Sequence, residues 1–258
     1  MAKRRKVIRA GRLVYAAVYS TVHPSDSPEA RAAKTKCSTA ARQRMNMKYA
    51  WQKLELLLAS NFSARDLVVT LTYDDDHLPD DRDGAVDKIK RFWVQLRKAR
   101  RLAGQSLRYV YVTEGVHGDK RLHHHVVIDG TGGDLETLQS LWPHGEVHIE
   151  YVDAYGYEAL AKYLTKEPRE HGSPNGLRSW TPSRGLKKPE RESGWVPDDV
   201  TLCAPPGATV LDSDSMVNQW GEVKYLKYLL PERRPERKTR RGAVKTEENS
   251  IRSYIFRA

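Results

Sequence analysis

The sequence predicts an α+β fold of the ferredoxin-like or RRM-like type: a split βαβ unit with an antiparallel sheet, an N-terminal helix and a basic C-terminal extension. Two observations carry this expectation. Apolar, β-rich runs occur at 66–73, 107–114, 122–129 and 146–152. Helical patterns fall at 85–102 and 134–141, so the order reads strand, helix, strand, strand, helix, strand. A chain of 258 residues can bury one good core, or one core and a smaller appended subdomain.

Each element has a local reason. Residues 27–59 have no Pro after Pro28 and are rich in Ala, Arg, Lys, Gln and Leu. Ser27 as N-cap and Pro28 in the first turn predict one long or broken helix there. The run at 66–73 ends in Asp74-Asp75-Asp76, which reads as a polar turn at a strand end rather than a metal site. Along 85–102, Val86, Ile89, Lys90, Trp93, Leu96 and Leu102 lie near helical spacing with many basic residues between them. A polar, Gly-containing loop joins 107–114 to 122–129 as a hairpin. Gly130-Thr131-Gly132-Gly133, lacking a Walker lysine or a full dinucleotide fingerprint, reads as a turn. A short helix at 134–141 leads to the strand at 146–152, and Pro168 stops a helix at 157–167.

The expected organisation is a basic N-terminal arm at 1–26, a main domain with its N-terminal helix at 27–188, a small extension at 189–230 and a basic mobile tail at 231–258. In the extension, 189–206 reads as loop-rich and 208–230 as strands or one short helix.

A formal charge of +11 favours a polyanionic partner, because each Lys or Arg that neutralises a phosphate releases condensed counterions. Nucleic acid leads that class. Cys37 and Cys203 lie outside any Cys-x-x-Cys pattern, which excludes a zinc ribbon and suits a reducing, cytosolic setting. The apolar stretch at 13–18 is too short and too broken by tyrosines for a signal-peptide core, so the basic start reads as an arm, either solvated or in contact with nucleic acid. No run of about 18 apolar residues is present, so no membrane partner is expected.

The most informative stretch is Arg121-Leu122-His123-His124-His125-Val126-Val127-Ile128. On a strand, alternation projects His123 and His125 to one face and His124 to the other. His123 and His125 are therefore candidates to share one metal ion. The hairpin would set Glu114 beside them as a third ligand; its alternative role is a hairpin-end charge next to Arg121. Imidazole and carboxylate suit divalent ions such as Mn, Fe or Zn, and with phosphate as substrate Mg or Mn is the reasonable cofactor. In Tyr163-Leu164-Thr165-Lys166, tyrosine and lysine at i and i+3 share a helix face. Tyr163 taken alone is an aromatic packing residue. A phenol becomes a useful nucleophile only when a cation or base stabilises phenolate, a part open to Lys166.

In this order, Leu71-Thr72-Tyr73, Arg121-Leu122-His123-His124-His125 and Tyr163-Leu164-Thr165-Lys166 resemble the motifs of HUH endonucleases, specifically the rolling-circle replication initiators of phages and plasmids. Tyr111-Val112-Thr113-Glu114-Gly115, Leu141-Trp142-Pro143-His144-Gly145 and Ser183-Arg184-Gly185-Leu186-Lys187-Lys188-Pro189 add weaker similarity, and the whole covers roughly 27–189.

The resemblance implies nicking and joining of single-stranded DNA at an origin in a bacterial host cytoplasm. Tyr163 would be the nucleophile, leaving a 5′-phosphotyrosine and a free 3′-OH, with Lys166 beside it and the metal at His123, His125 and Glu114. Two-tyrosine members carry paired tyrosines on one helix; here Tyr157 precedes Tyr163 by six residues and faces elsewhere, which favours one nucleophile and leaves Tyr157 as a fallback. Without a Gly-x-x-x-x-Gly-Lys-Ser/Thr motif, unwinding falls to a separate helicase and synthesis to a polymerase. Expected DNA contacts are Arg91, Arg97 and Arg100 on the basic helix, Arg178, Trp180, Arg184, Lys187 and Lys188 after the tyrosine helix, and the two termini. Trp180 suits stacking and packing equally, and Trp142 suits a core edge. The alternatives are a single-tyrosine transposase or relaxase of the same chemistry, and a non-catalytic RRM-like binding module.

Overall fold

The computed structural model describes residues 3–20, 39–115, 121–166, 180–218, 221–232 and 256–257, with backbone alone for 39–49, 218 and 256–257. In chain order the elements are β1 (Lys3–Ala10), β2 (Leu13–Ser20), α1 (Thr39–Asn61), β3 (Leu67–Leu71), α2 (Arg82–Leu102), β4 (Tyr109–Glu114) and β5 (His123–Ile128). Then follow α3 (Asp134–Leu141), β6 (Val147–Tyr151), α4 (Glu158–Leu164), β7 (Thr181–Pro182), β8 (Glu190–Val196), β9 (Thr201–Leu202), β10 (Thr209–Asn218), β11 (Gly221–Leu229) and β12 (Phe256–Arg257). The fold is α+β, with two five-stranded antiparallel sheets. The chain divides into two compact units, 46–187 and the remainder, 1–45 with 188–258.

In the unit 46–187 the sheet order is β6-β3-β5-β4-β7, and every pairing is antiparallel. The first four strands follow the split βαβ order that the sequence pattern predicts. One face packs on α2 and α3 through a core that includes Leu67, Val69, Ile89, Trp93, Tyr109, Val126, Ile128 and Trp142. The Trp93 and Tyr109 rings stack at 3.7 Å and 2°. α2 begins at Arg82, three residues before the predicted start, because the Asp81 carboxylate accepts from the Gly84 N–H at 2.8 Å and caps the helix. Its apolar stripe is Ala85, Ile89, Phe92, Trp93 and Leu96, while Leu102 is exposed. Ser27 and Pro28, the predicted helix start, lie outside the described residues.

One predicted DNA contact is corrected here. Arg100 is buried at 3% exposure, and its Nη2 donates to Asp134 Oδ1 and to the Asp129 carbonyl, each at 2.9 Å. Removing either carboxylate would leave a charge stranded in the core, so this arginine ties α2 to the start of α3 and to the end of β5. The basic composition of the helix conceals that role.

The second unit departs from the expected arm and loops. Residues 3–20 form the β1–β2 hairpin, turned by Gly11 at φ 58 as the first central residue of a two-residue loop. The sheet order is β10-β11-β2-β1-β8, so part of the stretch read as loop-rich is strand β8, and 208–230 supplies strands with no helix. Charge made 1–26 look like an arm, whereas the alternation in Val14, Ala16 and Val18 builds a sheet. Val14, Ala16, Leu226, Tyr228 and Leu230 form this unit's core. Of the predicted tail, 233–255 lies outside the described residues, while Phe256–Arg257 pairs with β9. Among the described residues no helix is long and apolar enough to cross a membrane.

Candidate metal and nucleophile site

Alternation along β5 divides its three histidines as the sequence requires. His123 lies directly opposite Glu114 on β4, and His125 lies between Val112 on β4 and Thr70 on β3. His124 points to the α2 face, into the core.

On the open face, His123 Nε2 and His125 Nε2 stand 3.1 Å apart, at 3.4 and 3.6 Å from Glu114 Oε2. One ligand atom from each of the three residues lies within 4.8 Å of the others, a grouping able to hold a metal ion. Two features of the chain fit that use. Both Glu114 oxygens are buried without a directed hydrogen bond, although ion-pair partners stand nearby, so the carboxylate keeps free lone pairs aimed at the cluster. In addition, His123 Nδ1 lies 2.8 Å from the Arg121 carbonyl, which only accepts; the proton therefore sits on Nδ1 in the neutral ring and leaves Nε2 free. His125 Nδ1 has Thr70 Oγ1 at 3.1 Å in the equivalent position.

The electrostatics follow from these contacts. Burial alone would raise the Glu114 carboxyl, but His123, His125 and Lys166 outweigh it and hold the group well below the usual carboxylate range. Burial opposes charge on His123, while Glu114 and the Arg121 carbonyl push its pKa up. Lys166 is likewise held above its usual value by Glu114 against a desolvation cost.

α4 and the turn after it bring Tyr163 and Lys166 to the same place. Tyr163 Oη is 3.0 Å from His125 Nε2, and Lys166 Nζ is 3.0 Å from Glu114 Oε2 and 3.8 Å from the centre of the Tyr163 ring. Tyr163 is 43% exposed, so its hydroxyl is accessible to a substrate. Tyr157, the fallback, is buried and donates its hydroxyl to the Phe62 carbonyl; it sits at φ 46 just before the first turn of α4 and is a packing residue.

His124 has a different environment. Tyr73 Oη lies 2.7 Å from its Nε2 and Thr113 Oγ1 3.0 Å from its Nδ1, and the ring is fully buried. Burial, reinforced by the cationic character of His123 and His125, drives its pKa down to about 3.

The supporting motifs frame the site. Trp142 is buried, and its indole N–H donates to the Thr72 carbonyl at 2.8 Å. At Gly145 a Cβ would stand 2.5 Å from that same carbonyl, so only glycine permits the approach. Asn61 clamps the Lys187 backbone, accepting from its N–H at 2.8 Å and donating to its carbonyl at 2.9 Å.

The structure thus brings Glu114, His123, His125, Tyr163 and Lys166 together. It does not bring Arg91 and Arg97 to them: both are exposed on α2, which covers the opposite face of the sheet. Arg184, Lys187 and Lys188 are exposed and Trp180 is half-buried, while Arg178 lies outside the described residues. Sequence reasoning missed Thr70, Tyr73 and Thr113 as partners of the histidines. Their signal was weak: hydroxyl residues among apolar strand positions.

A split βαβ sheet with a two-histidine, one-carboxylate cluster next to a tyrosine and a lysine defines a class of protein equipped for metal-assisted phosphate chemistry. Residues 66–168 match the family of replication-associated proteins of the ORF2 type, and the match supports a role in replication initiation. No curated protein and no solved structure matches the chain.

Proposed function

We propose that this chain is an HUH-type endonuclease that nicks and rejoins single-stranded DNA to initiate rolling-circle replication. The observation that carries the reading is the convergence of Tyr163 Oη and Lys166 Nζ on the donor set of Glu114, His123 and His125. Those three residues would hold Mg or Mn, which when bound supplies Lewis-acid polarisation of a phosphate oxygen. Tyr163 attacks the scissile phosphorus. The bond from its phenolic oxygen to phosphorus forms, the bond from phosphorus to the 3′ oxygen breaks, and that oxygen takes a proton as a 3′-OH. Lys166, fixed by Glu114 above the Tyr163 ring, favours the phenolate and returns positive charge to it during resealing, when the 3′-OH displaces the tyrosine.

Trp180, Arg184, Lys187 and Lys188 contact the strand leading to the site, and Arg91 and Arg97 contact flanking DNA on the other face. The single-stranded origin is presented by a separate helicase, and a host polymerase extends the freed 3′-OH in the cytoplasm.

The test is incubation with labelled single-stranded origin oligonucleotides and Mn or Mg, followed by denaturing electrophoresis. Wild type forms a covalent adduct and Tyr163→Phe forms none. An adduct that persists in Tyr163→Phe removes the nucleophile assignment, and tight binding with no adduct on any substrate favours a binding module.

A further inference from the structure

The sheet of the second unit sorts its charges by face. Its register sets Trp195, Arg4, Tyr19, Val223 and Met216 in one row across β8, β1, β2, β11 and β10. Alternation puts Lys6 and Arg191 on the same face, in the rows behind. The opposite face pairs its cations: Lys3, Arg5 and Arg9 share it with Glu190, Glu192 and Glu222, and Lys3 Nζ meets Glu222 at 3.2 Å. On the Trp195 face, β1, β2 and β8 present no carboxylate at all. Its acids, Asp212 and Asp214, are on β10, with β2 and β11 between them and β1. Among the described residues neither Lys6 nor Arg191 has an ion-pair partner.

The exposed side chains on this face are unusual for solvent. Trp195 is 64% exposed, with the Arg4 guanidinium 5.2 Å from its ring centre, and the Arg4 Nε is buried without a hydrogen-bond partner. Met216 and Val223 extend the apolar row, at 55% and 40% exposure. An aromatic ring already stacked with a cation, beside uncompensated lysine and arginine, matches what a single strand offers: flat bases and a phosphate backbone.

We propose that this face is a second single-stranded DNA-binding surface, in which Trp195 and Tyr19 stack bases while Arg4, Lys6 and Arg191 hold the phosphodiester backbone. Strands about 4.8 Å apart put Trp195 and Tyr19 about 10 Å from each other, with Arg4 between them. A second copy of the chain is a worse occupant, since two-fold pairing would set Arg4, Lys6 and Arg191 against their own copies with no carboxylate to meet them. A duplex is worse too, because its bases are already stacked. The proposal rests on the nucleic-acid reading of the chain and not on the nicking chemistry.

The test is binding of a fluorescently labelled 20-nucleotide deoxythymidine oligomer to the full chain in EDTA, read by anisotropy over a salt series. Trp195→Ala weakens binding by about tenfold, and Trp195→Phe restores most of it, as stacking requires. The double variant Lys6→Ala/Arg191→Ala lowers the salt slope by roughly 1.4, about 0.7 for each phosphate no longer neutralised. All of these side chains are exposed, so each variant keeps the wild-type unfolding midpoint. Unchanged affinity and salt slope in both variants overturn the proposal. So does a change of oligomeric mass in Trp195→Ala with oligomer affinity intact, which makes the face a contact between copies. If wild type forms no covalent adduct but Trp195→Ala still weakens binding, the nicking reading fails and this surface stands.

Discussion

His124 and its two neighbours on β5 are the same residue type on one strand, yet they meet opposite surroundings. His124 faces the α2 side, is fully buried and has a hydroxyl on each ring nitrogen, from Tyr73 and Thr113. His123 and His125 face Glu114, with Lys166 and Tyr163 at the rim. The two-residue period of the strand makes the division, and the register of the flanking strands supplies the partners. One face commits its imidazole to the core; the other leaves two imidazole nitrogens and a carboxylate with unused lone pairs. Residue type does not decide which histidine is structural and which is available for chemistry.

The largest expected effect breaks the open face. Glu114→Ala removes the buried carboxylate that both imidazoles and Lys166 share. Mn binding by titration calorimetry is expected to fall below detection. Nicking should fall by about 10³-fold or more, because losing a metal forfeits several kcal/mol of charge stabilisation, at about 1.4 kcal/mol for each factor of ten. Retained Mn affinity would show that the ion, if bound, sits elsewhere.

The next pair of variants compares the faces by stability. His124→Ala leaves a cavity and strands two buried hydroxyls, a cost of about 3 kcal/mol in urea unfolding. His123→Ala, half-exposed at the site rim, is expected to cost less than about 1 kcal/mol while removing Mn binding. Equal losses in the two would erase the distinction drawn between the faces.

Titration sharpens the same contrast. The folded His124 is held down to about 3, whereas in an unfolded chain a histidine titrates near 6.5. The stability of the neutral, buried ring is therefore complete above pH ~6.5 and is lost as pH falls toward the folded value, by about 1.4 kcal/mol per pH unit. Wild type should lose urea resistance between pH ~6.5 and ~4, and His124→Phe should lose measurably less over the same interval. Parallel curves for the two proteins would remove His124 as the source.

Much of this was legible in the sequence because it is local. Alternation over six residues separates His124 from His123 and His125, and a short hairpin brings Glu114 opposite His123. The order of strands and helices likewise follows from patterns within single elements. What was not legible depends on distant pairing. Thr70 meets His125 only through the β3–β5 register, 55 residues apart, and Arg100 is internal because Asp129 and Asp134 await it about 30 residues later. The β1–β2 hairpin was hidden differently: six basic residues in its first twelve positions dominate the composition, while its alternating apolar residues, the better guide, are few.

The smallest effect concerns Thr70, whose Oγ1 is 3.1 Å from His125 Nδ1. If the ring donates its Nδ1 proton to that oxygen, Nε2 is unprotonated and aimed at the Glu114 cluster. Without the partner, the other tautomer puts a proton where an ion would bind. Thr70→Val keeps the shape and removes the oxygen, so Mn affinity is expected to weaken by about 10- to 100-fold with a stability change under about 1 kcal/mol. Thr70→Ser restores the hydroxyl and should recover most of the affinity, which a packing role for the threonine methyl would not produce. Unchanged Mn affinity in Thr70→Val would mean that Glu114 and Tyr163 alone orient the His125 ring, and that the open face of β5 needs no support from β3.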